Sequence, residues 1–367
     1  MPEFLYGIEA RLNDRIKRLC MRQCNLIKSS SRSGLFVSLL LAQGMICHPS
    51  FGAPPVIVAL PANSSGADIQ KALDTLPANG EVVLSAGTYA ISQPLMLRHD
   101  YETLRGSGPS TILRLEDGAD CPVVILGPPM TKTNHRASHL RLANLMIDGN
   151  RRNQKLEFWR SAGDGSEFNC NGVQIWNAAD VEVEHVVCCH CRSGGLVAAD
   201  VRRLHVNDFD SYDNQFDGLA CYQTEESRFD NLRLHDNLAA GLSLDLDFSH
   251  NSITNAVLAR NDLGIFMRDS RDNSFQSLII SKSHHDGVFM AQAITDTARG
   301  WKLCPDTQCI GNNFENLMVN DCGGKAFHVN DASCSNNIIL GASFLNNRLG
   351  GLAQPSTNLV IFHALAD

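Results

Sequence analysis

The chain has 367 residues, 44% hydrophobic and 19% charged, an ordinary globular composition with apolar residues enough for a large core. Its net charge is −8, and beyond residue 53 it carries 24 basic against 36 acidic residues, a net −12. So acidic a balance excludes nucleic acid as an expected partner, because phosphate binding requires a basic surface.

Residues 1–53 read as a presequence. Lys28 and Arg32 precede an apolar run at 35–47, and small residues follow at Ser50, Gly52 and Ala53, the order of a secretory signal peptide at about 28–53. Met21 would give it a more usual length. The run is shorter than the ~20 residues that cross a bilayer, so the expectation is a secreted or periplasmic protein with no stable membrane span after signal removal. Ten cysteines remain beyond it. Cys304 and Cys309 are the best disulfide candidates of an exported chain. The run Cys189-His190-Cys191 has ligand types but no second cluster at zinc spacing, so no metal is assigned.

Residues 54–150 open a repetitive region. Ile69, Leu73 and Leu76 share one face of a helix predicted over 67–76, which Pro77 to Gly80 stops. Short strands follow at 82–84, 87–89, 94–97, 104–106 and 111–115. A helix here would cap the open end of a repeat array, whose strand edges are otherwise unpaired. The helix, the stretch GEVVLSAGTYAISQPLMLRHDYETLRGSGPSTILRL and the later Ile147-Asp148-Gly149-Asn150 resemble the pectate-lyase-like superfamily of right-handed parallel β-helix proteins, over residues 66–367. That resemblance implies the right-handed coil. It implies company with polysaccharide lyases, pectin-type hydrolases, uronan epimerases, phage tailspikes and secreted repeat proteins.

Residues 151–367 carry the clearest signal. Gly172, Gly195, Gly218, Gly241, Gly264 and Gly287 are spaced by 23 residues without a slip, the mark of a solenoid. One residue on from each glycine stand Val173, Leu196, Leu219, Leu242, Ile265 and Val288; three on stand Ile175, Ala198, Cys221, Leu244, Met267 and Met290. This alternation predicts a short strand with those residues inward, Cys221 among them as a buried thiol. Two more strands fit each coil, as around Val181 and Val183, then Val186 and Cys188, with Asn, Asp, Ser and Gly at the corners. Phe327 and Val329 rejoin the inward rows, and Gly351 and Leu352 begin a last turn. The predicted class is therefore all-β, a parallel β-helix of ~23 residues per coil with an N-terminal capping helix. Insertions at about 151–170 and 292–311 interrupt the stride on either side of the glycine-led strand, placed to wall a groove over it.

The outward positions of that strand are the candidate site. The fourth residue on from each glycine gives Trp176, Ala199, Tyr222, Asp245, Arg268 and Ala291; the second gives Gln174, Val197, Ala220, Ser243, Phe266 and Phe289. Aromatic, carboxylate and guanidinium groups on one exposed ridge suit a sugar, whose flat faces meet rings and whose hydroxyls meet charge. Trp159, Arg160, Arg151 and Arg152 would extend one wall. A hydrolase needs two carboxylates, and Asp245 and Asp247 alternate outward on one strand, with Asp217, Glu225 and Asp269 about a coil away. A lyase would use Arg268 to neutralise a uronate and Tyr222 as base; a uronan epimerase would use similar groups. An ordinary surface ion pair is the plain reading of Asp245 and Arg268. No Asn-Thr-Asp, Asp-Asp, Gly-His-Gly, Arg-x-Lys or Asp-Pro-His signature occurs in the repeats, so no catalytic residue is carried over from the resemblance. The expectation is a protein that cleaves a polysaccharide or oligosaccharide, hydrolysis ahead of elimination, with glycan binding without turnover as the alternative. No cofactor is expected; the acidic surroundings are compatible with Ca2+, though no oxygen-ligand loop is recognisable.

Overall fold

In a computed structural model of the chain, each stride of the glycines is one coil of a parallel β-solenoid with about 11 turns of about 24 residues. The structure describes residues 55–128, 135–155, 170–297 and 306–354, with short strands at Arg160–Ser161, Glu167–Phe168, Gly300–Leu303, Leu359–Phe362 and Leu365–Ala366. The proposed signal peptide lies outside them. No described helix is long and apolar enough to cross a membrane.

The register follows the predicted rows. Val173, Leu196, Leu219, Leu242, Ile265, Val288, Phe327 and Leu352 stand one above another. So do Val183, Val206, Phe229, Ile253, Phe275, Phe314 and Ile339 on the second strand. Both rows, with their inward neighbours, form one continuous core in which Phe275 and Phe314 stack at 4.4 Å. Cys188 and Cys221 are buried in it.

Three local devices set the coil length. At the corners the chain turns on residues with positive φ, one column running Asn177, Asp200, Gln223, Leu246 and Asp269, another His190, Asp213, Asp236, Arg260, Lys282, Asp321 and Asn346. Asn and Asp recur because they enter this left-handed region at least cost. The glycines answer a different need, close approach. A Cβ on Gly218 would lie 2.9 Å from the carbonyl oxygen of Gly241, and one on Gly264 would lie 2.3 Å from that of Gly287, so successive coils touch backbone to backbone there. The third device is a pair of buried asparagine ladders. Asn214 donates to Asn237 and Asn237 to Asn261; on another corner Asn251 donates to Asn273, Asn273 to Asn312 and Asn312 to Asn337, at 2.9–3.2 Å. Each of these asparagines from Asn214 to Asn337 also accepts from a backbone N–H of the preceding coil, satisfying polar groups that burial would otherwise leave bare.

The helix spans Gly66–Asp74, capped by a reciprocal pair of bonds between Ser65 and Asp68, with Ile69, Ala72 and Leu73 buried. Gln70 accepts from the Met96 N–H at 2.7 Å and donates to its carbonyl at 3.2 Å. It thus stands in for a missing strand along Leu95–Leu97. The two insertions contribute short antiparallel hairpins, Arg160–Ser161 with Glu167–Phe168 and Ile294–Thr297 with Gly300–Leu303. Of the residues expected to wall the groove from the first insertion, Trp159 and the Arg160 side chain lie outside the described residues.

Candidate active site

Trp176, Ala199, Tyr222 and Asp245 do occupy one column in register on the outer side of the glycine-led strand, followed by Arg268 and Ala291. The ridge is not open to solvent as the alternation predicts. Asp245 is 1% exposed and Arg268 3%, while Trp176, Tyr222, Gln174 and Asp217 are also buried. Each is drawn into contacts. Trp176 Nε1 donates to the Gly127 carbonyl at 3.0 Å, and Gln174 Nε2 donates to the Val197 carbonyl at 3.2 Å. Tyr222 packs with Val197, Ala220 and Leu246 in a second, small apolar cluster. Arg268 donates through Nε to Asp245 Oδ2 at 3.0 Å and lies over the Phe266 ring, 5.0 Å from its centroid. The expected surface ion pair is therefore a buried one, which holds the ridge closed.

The electrostatics weigh against Tyr222 as a base. Burial pushes its phenol well above the ordinary value, with Asp217 and Asp245 adding repulsion, so it is a proton donor at neutral pH. Burial also pushes the Asp217 carboxyl up to about 7, although its Oδ1 accepts from the Ala240 N–H at 2.9 Å. The pairing of Asp245 with Asp247 fails for a backbone reason. The strand ends at Asp245, and Leu246 and Asp247 both have positive φ, so the alternation stops and the two carboxylates enter different surroundings. Glu225 lies past the Gln223 corner, bonded to Arg202 at 2.7 Å. Arg151 reaches Asp213 at 2.9 Å, at a third-strand corner, instead of lining the ridge, and Arg152 is exposed beside it.

Two further features flank the closed ridge. Arg271 Nη2 donates to Asp247 Oδ1 at 3.3 Å and to Asp269 Oδ1 at 3.1 Å, so the two carboxylate oxygens are at most 6.4 Å apart. The Asp247 side chain is 61% exposed and that of Asp269 11%. Burial raises the Asp269 carboxyl to about 6, against the pull of Arg271 and with repulsion from Asp247 and Asp245. The second feature is a half-buried aromatic row: Phe266 stacks on Phe289 at 5.8 Å and 7°, and Phe289 meets His328 edge-on at 5.2 Å. His328 Nδ1 shares a 2.8 Å hydrogen bond with Asp286 Oδ2. Sequence reasoning missed His328, although its place between the inward Phe327 and Val329 makes it outward-facing.

Elsewhere among the described residues, ligand atoms of Asp148, Cys189 and His190 lie within 4.8 Å of one another. Asp148 is already bonded to Arg114, and burial with nearby carboxylates raises the Cys189 thiol to about 12, so these donors are occupied with each other and with protons.

A search of curated protein sequences finds no match. Solved structures match at low identity. The chain is similar to the A-module of the mannuronan C-5 epimerase AlgE6 of Azotobacter vinelandii, with 16% identity and TM-score 0.57 over 82% of this chain and 94% of that one. It is similar to ORF18 of Geobacillus virus E2, with 13% identity and TM-score 0.62 over 83% and 59%. It is also similar to the catalytic domain of a GH87 α-1,3-glucanase in complex with nigerose, with 12% identity and TM-score 0.58 over 88% and 70%. At such identities the likeness establishes the fold. Residues 171–362 match the model of the right-handed β-helix region, and the chain belongs to that family.

Proposed function

We propose that the protein acts on a polysaccharide by hydrolysing glycosidic bonds, with Asp269 as the acid and Asp247 as the second carboxylate. The observation that carries this reading is the Asp247–Arg271–Asp269 group: two carboxyls in reach of one guanidinium, one open to solvent and one raised to about 6 by burial. Environments that separate two carboxyls in this way assign the acid and its partner. The half-buried aromatic row of Phe266, Phe289 and His328 adds apolar surface on the outward side of the same strand column. An oxygen separation of at most 6.4 Å is compatible with the retaining geometry, in which carboxyls stand ~5–5.5 Å apart. That two of the similar structures are a mannuronan epimerase and an α-1,3-glucanase supports a glycan as the partner. Elimination or epimerisation with Tyr222 as base is disfavoured by its raised phenol. Export through the 28–53 segment is part of the same proposal.

Purified protein incubated with a panel including α-1,3-glucan and mannuronan should release reducing ends without the absorbance of unsaturated uronates. Asp247→Asn and Asp269→Asn should each lower the rate by a hundredfold or more (~10² for acid or base loss), and Phe289→Ala should raise KM. Wild-type levels in both carboxylate variants would dismiss the site. Binding without turnover, the reading favoured by the closed ridge over Asp245 and Arg268, would appear as retention of a glycan with no product.

A further inference from the structure

Two cysteines far from the glycan site in sequence are brought together by the last coils. Ile310 pairs in parallel with Ser335, and the Ser335 N–H donates to the Cys309 carbonyl at 3.2 Å. Cys309 and Cys334 therefore hold equivalent places on adjoining coils. Both are buried in the main core, so their side chains share one side of the backbone. Equivalent residues of neighbouring parallel strands stand ~4.8 Å apart, inside the ~4.4–6.8 Å Cα range of disulfides. The thiols also perturb one another. The contact with Cys309 draws Cys334 below its ordinary value, while burial and Cys334 push Cys309 well above it.

The pair sits at the root of the second insertion. Cys309 Sγ donates to the carbonyl of Ala291, the last residue of the strand from which the insertion departs. The turn before Cys334 holds that departure point from the other side: Asp331 Oδ2 accepts from the Gln292 N–H at 2.9 Å, and Ser333 Oγ donates to Gln292 Oε1 at 2.8 Å. We propose that Cys309 and Cys334 form a disulfide in the oxidised protein, fastening the point where the 292–311 insertion rejoins the solenoid to the turn that grips where it leaves. The oxidant is a small disulfide such as oxidised glutathione. The Cys334 thiolate attacks one of its sulfurs and expels one glutathione thiolate; the Cys309 thiolate then attacks Cys334 Sγ and expels the second. Two protein thiols lose two protons and two electrons, and the oxidant takes them up as two thiols. It is an alternative to the Cys304–Cys309 pairing expected from sequence; Cys304 lies outside the described residues.

The test is peptide mapping of the full chain after exposure to oxidised glutathione, with free thiols blocked at acidic pH before digestion. Trypsin leaves Cys304, Cys309 and Cys322 in peptide 303–325 and Cys334 in peptide 326–348. The expected result is these two peptides joined by a link that reductant breaks, with fragmentation placing the bond at Cys309. The wild-type protein is sufficient for this measurement. Cys304→Ser and Cys322→Ser should keep the link and Cys309→Ser should lose it, and reductant should lower the melting temperature of the oxidised wild type but not of Cys309→Ser. An unlinked peptide 326–348, a bond internal to 303–325, or a link placed at Cys304 or Cys322 would overturn the proposal.

Discussion

Asp217→Asn isolates the cost of a buried carboxyl at the heart of the closed ridge. Asp217 is 2% exposed, and its carboxyl titrates at about 7 in the fold against 3.8 for the unperturbed group. Between those values the folded state holds a proton that the unfolded state has released, so stability falls as pH rises through the window and levels off above it. About three units at 1.36 kcal/mol each make the loss about 4 kcal/mol. Asparagine is neutral throughout and keeps an oxygen for the Ala240 N–H. In urea unfolding followed by circular dichroism, the variant should match the wild type near pH 4 and exceed it by about 4 kcal/mol near pH 8. The charge effects of groups that do not interact with Asp217 cancel in the difference; those of Asp245 and Tyr222, which do, remain in it. A difference that stays flat across this range, or a variant that is weaker at the alkaline end, would refute the reasoning.

Arg268→Met should cost about 3–5 kcal/mol by leaving Asp245 buried without its partner; adding Asp245→Asn should recover most of that, read from denaturation midpoints. Asn273→Ala breaks a ladder at a residue bonded to Asn251, Asn312 and the Phe248 carbonyl and should destabilise by on the order of 3 kcal/mol, with hydrogen exchange accelerated in both adjoining coils. Gly264→Ala forces a Cβ to within 2.3 Å of the Gly287 carbonyl oxygen and should lower stability by about 1–3 kcal/mol, checked by thermal melting. For any hydrolysis found, kcat/KM should decline as pH rises through about 6, where Asp269 loses the proton an acid must deliver, and Asp269→Asn should abolish that limb along with the rate.

The coil itself was legible, because inward rows repeat in sequence as they repeat in space: Val173 to Val288 stack as their spacing predicts. The exposure of the outward column was not. A period tells which way Trp176 points but nothing of Gly127, 49 residues away, whose carbonyl receives the indole. Asp245 and Asp247 look alternate in one dimension, and only the left-handed turn at Leu246 separates them. The asparagines read as turn formers, since the bonds that stack them inside a corner join residues 22 to 39 apart. His328 escaped notice because the counted outward rows stop at the strand after Gly287, although Phe327 and Val329 on either side of it rejoin the inward rows.

The step from Asn273 to Asn312 spans 39 residues where the next step, to Asn337, spans 25, yet the two bonds are equally short. The stack is indifferent to how much chain leaves between two rungs, provided it returns to the same corner. New loops can therefore be grafted at this place, or old ones pruned, without disturbing the cylinder beneath. A scaffold of this kind lets specificity drift in its excursions while the coil count stays constant.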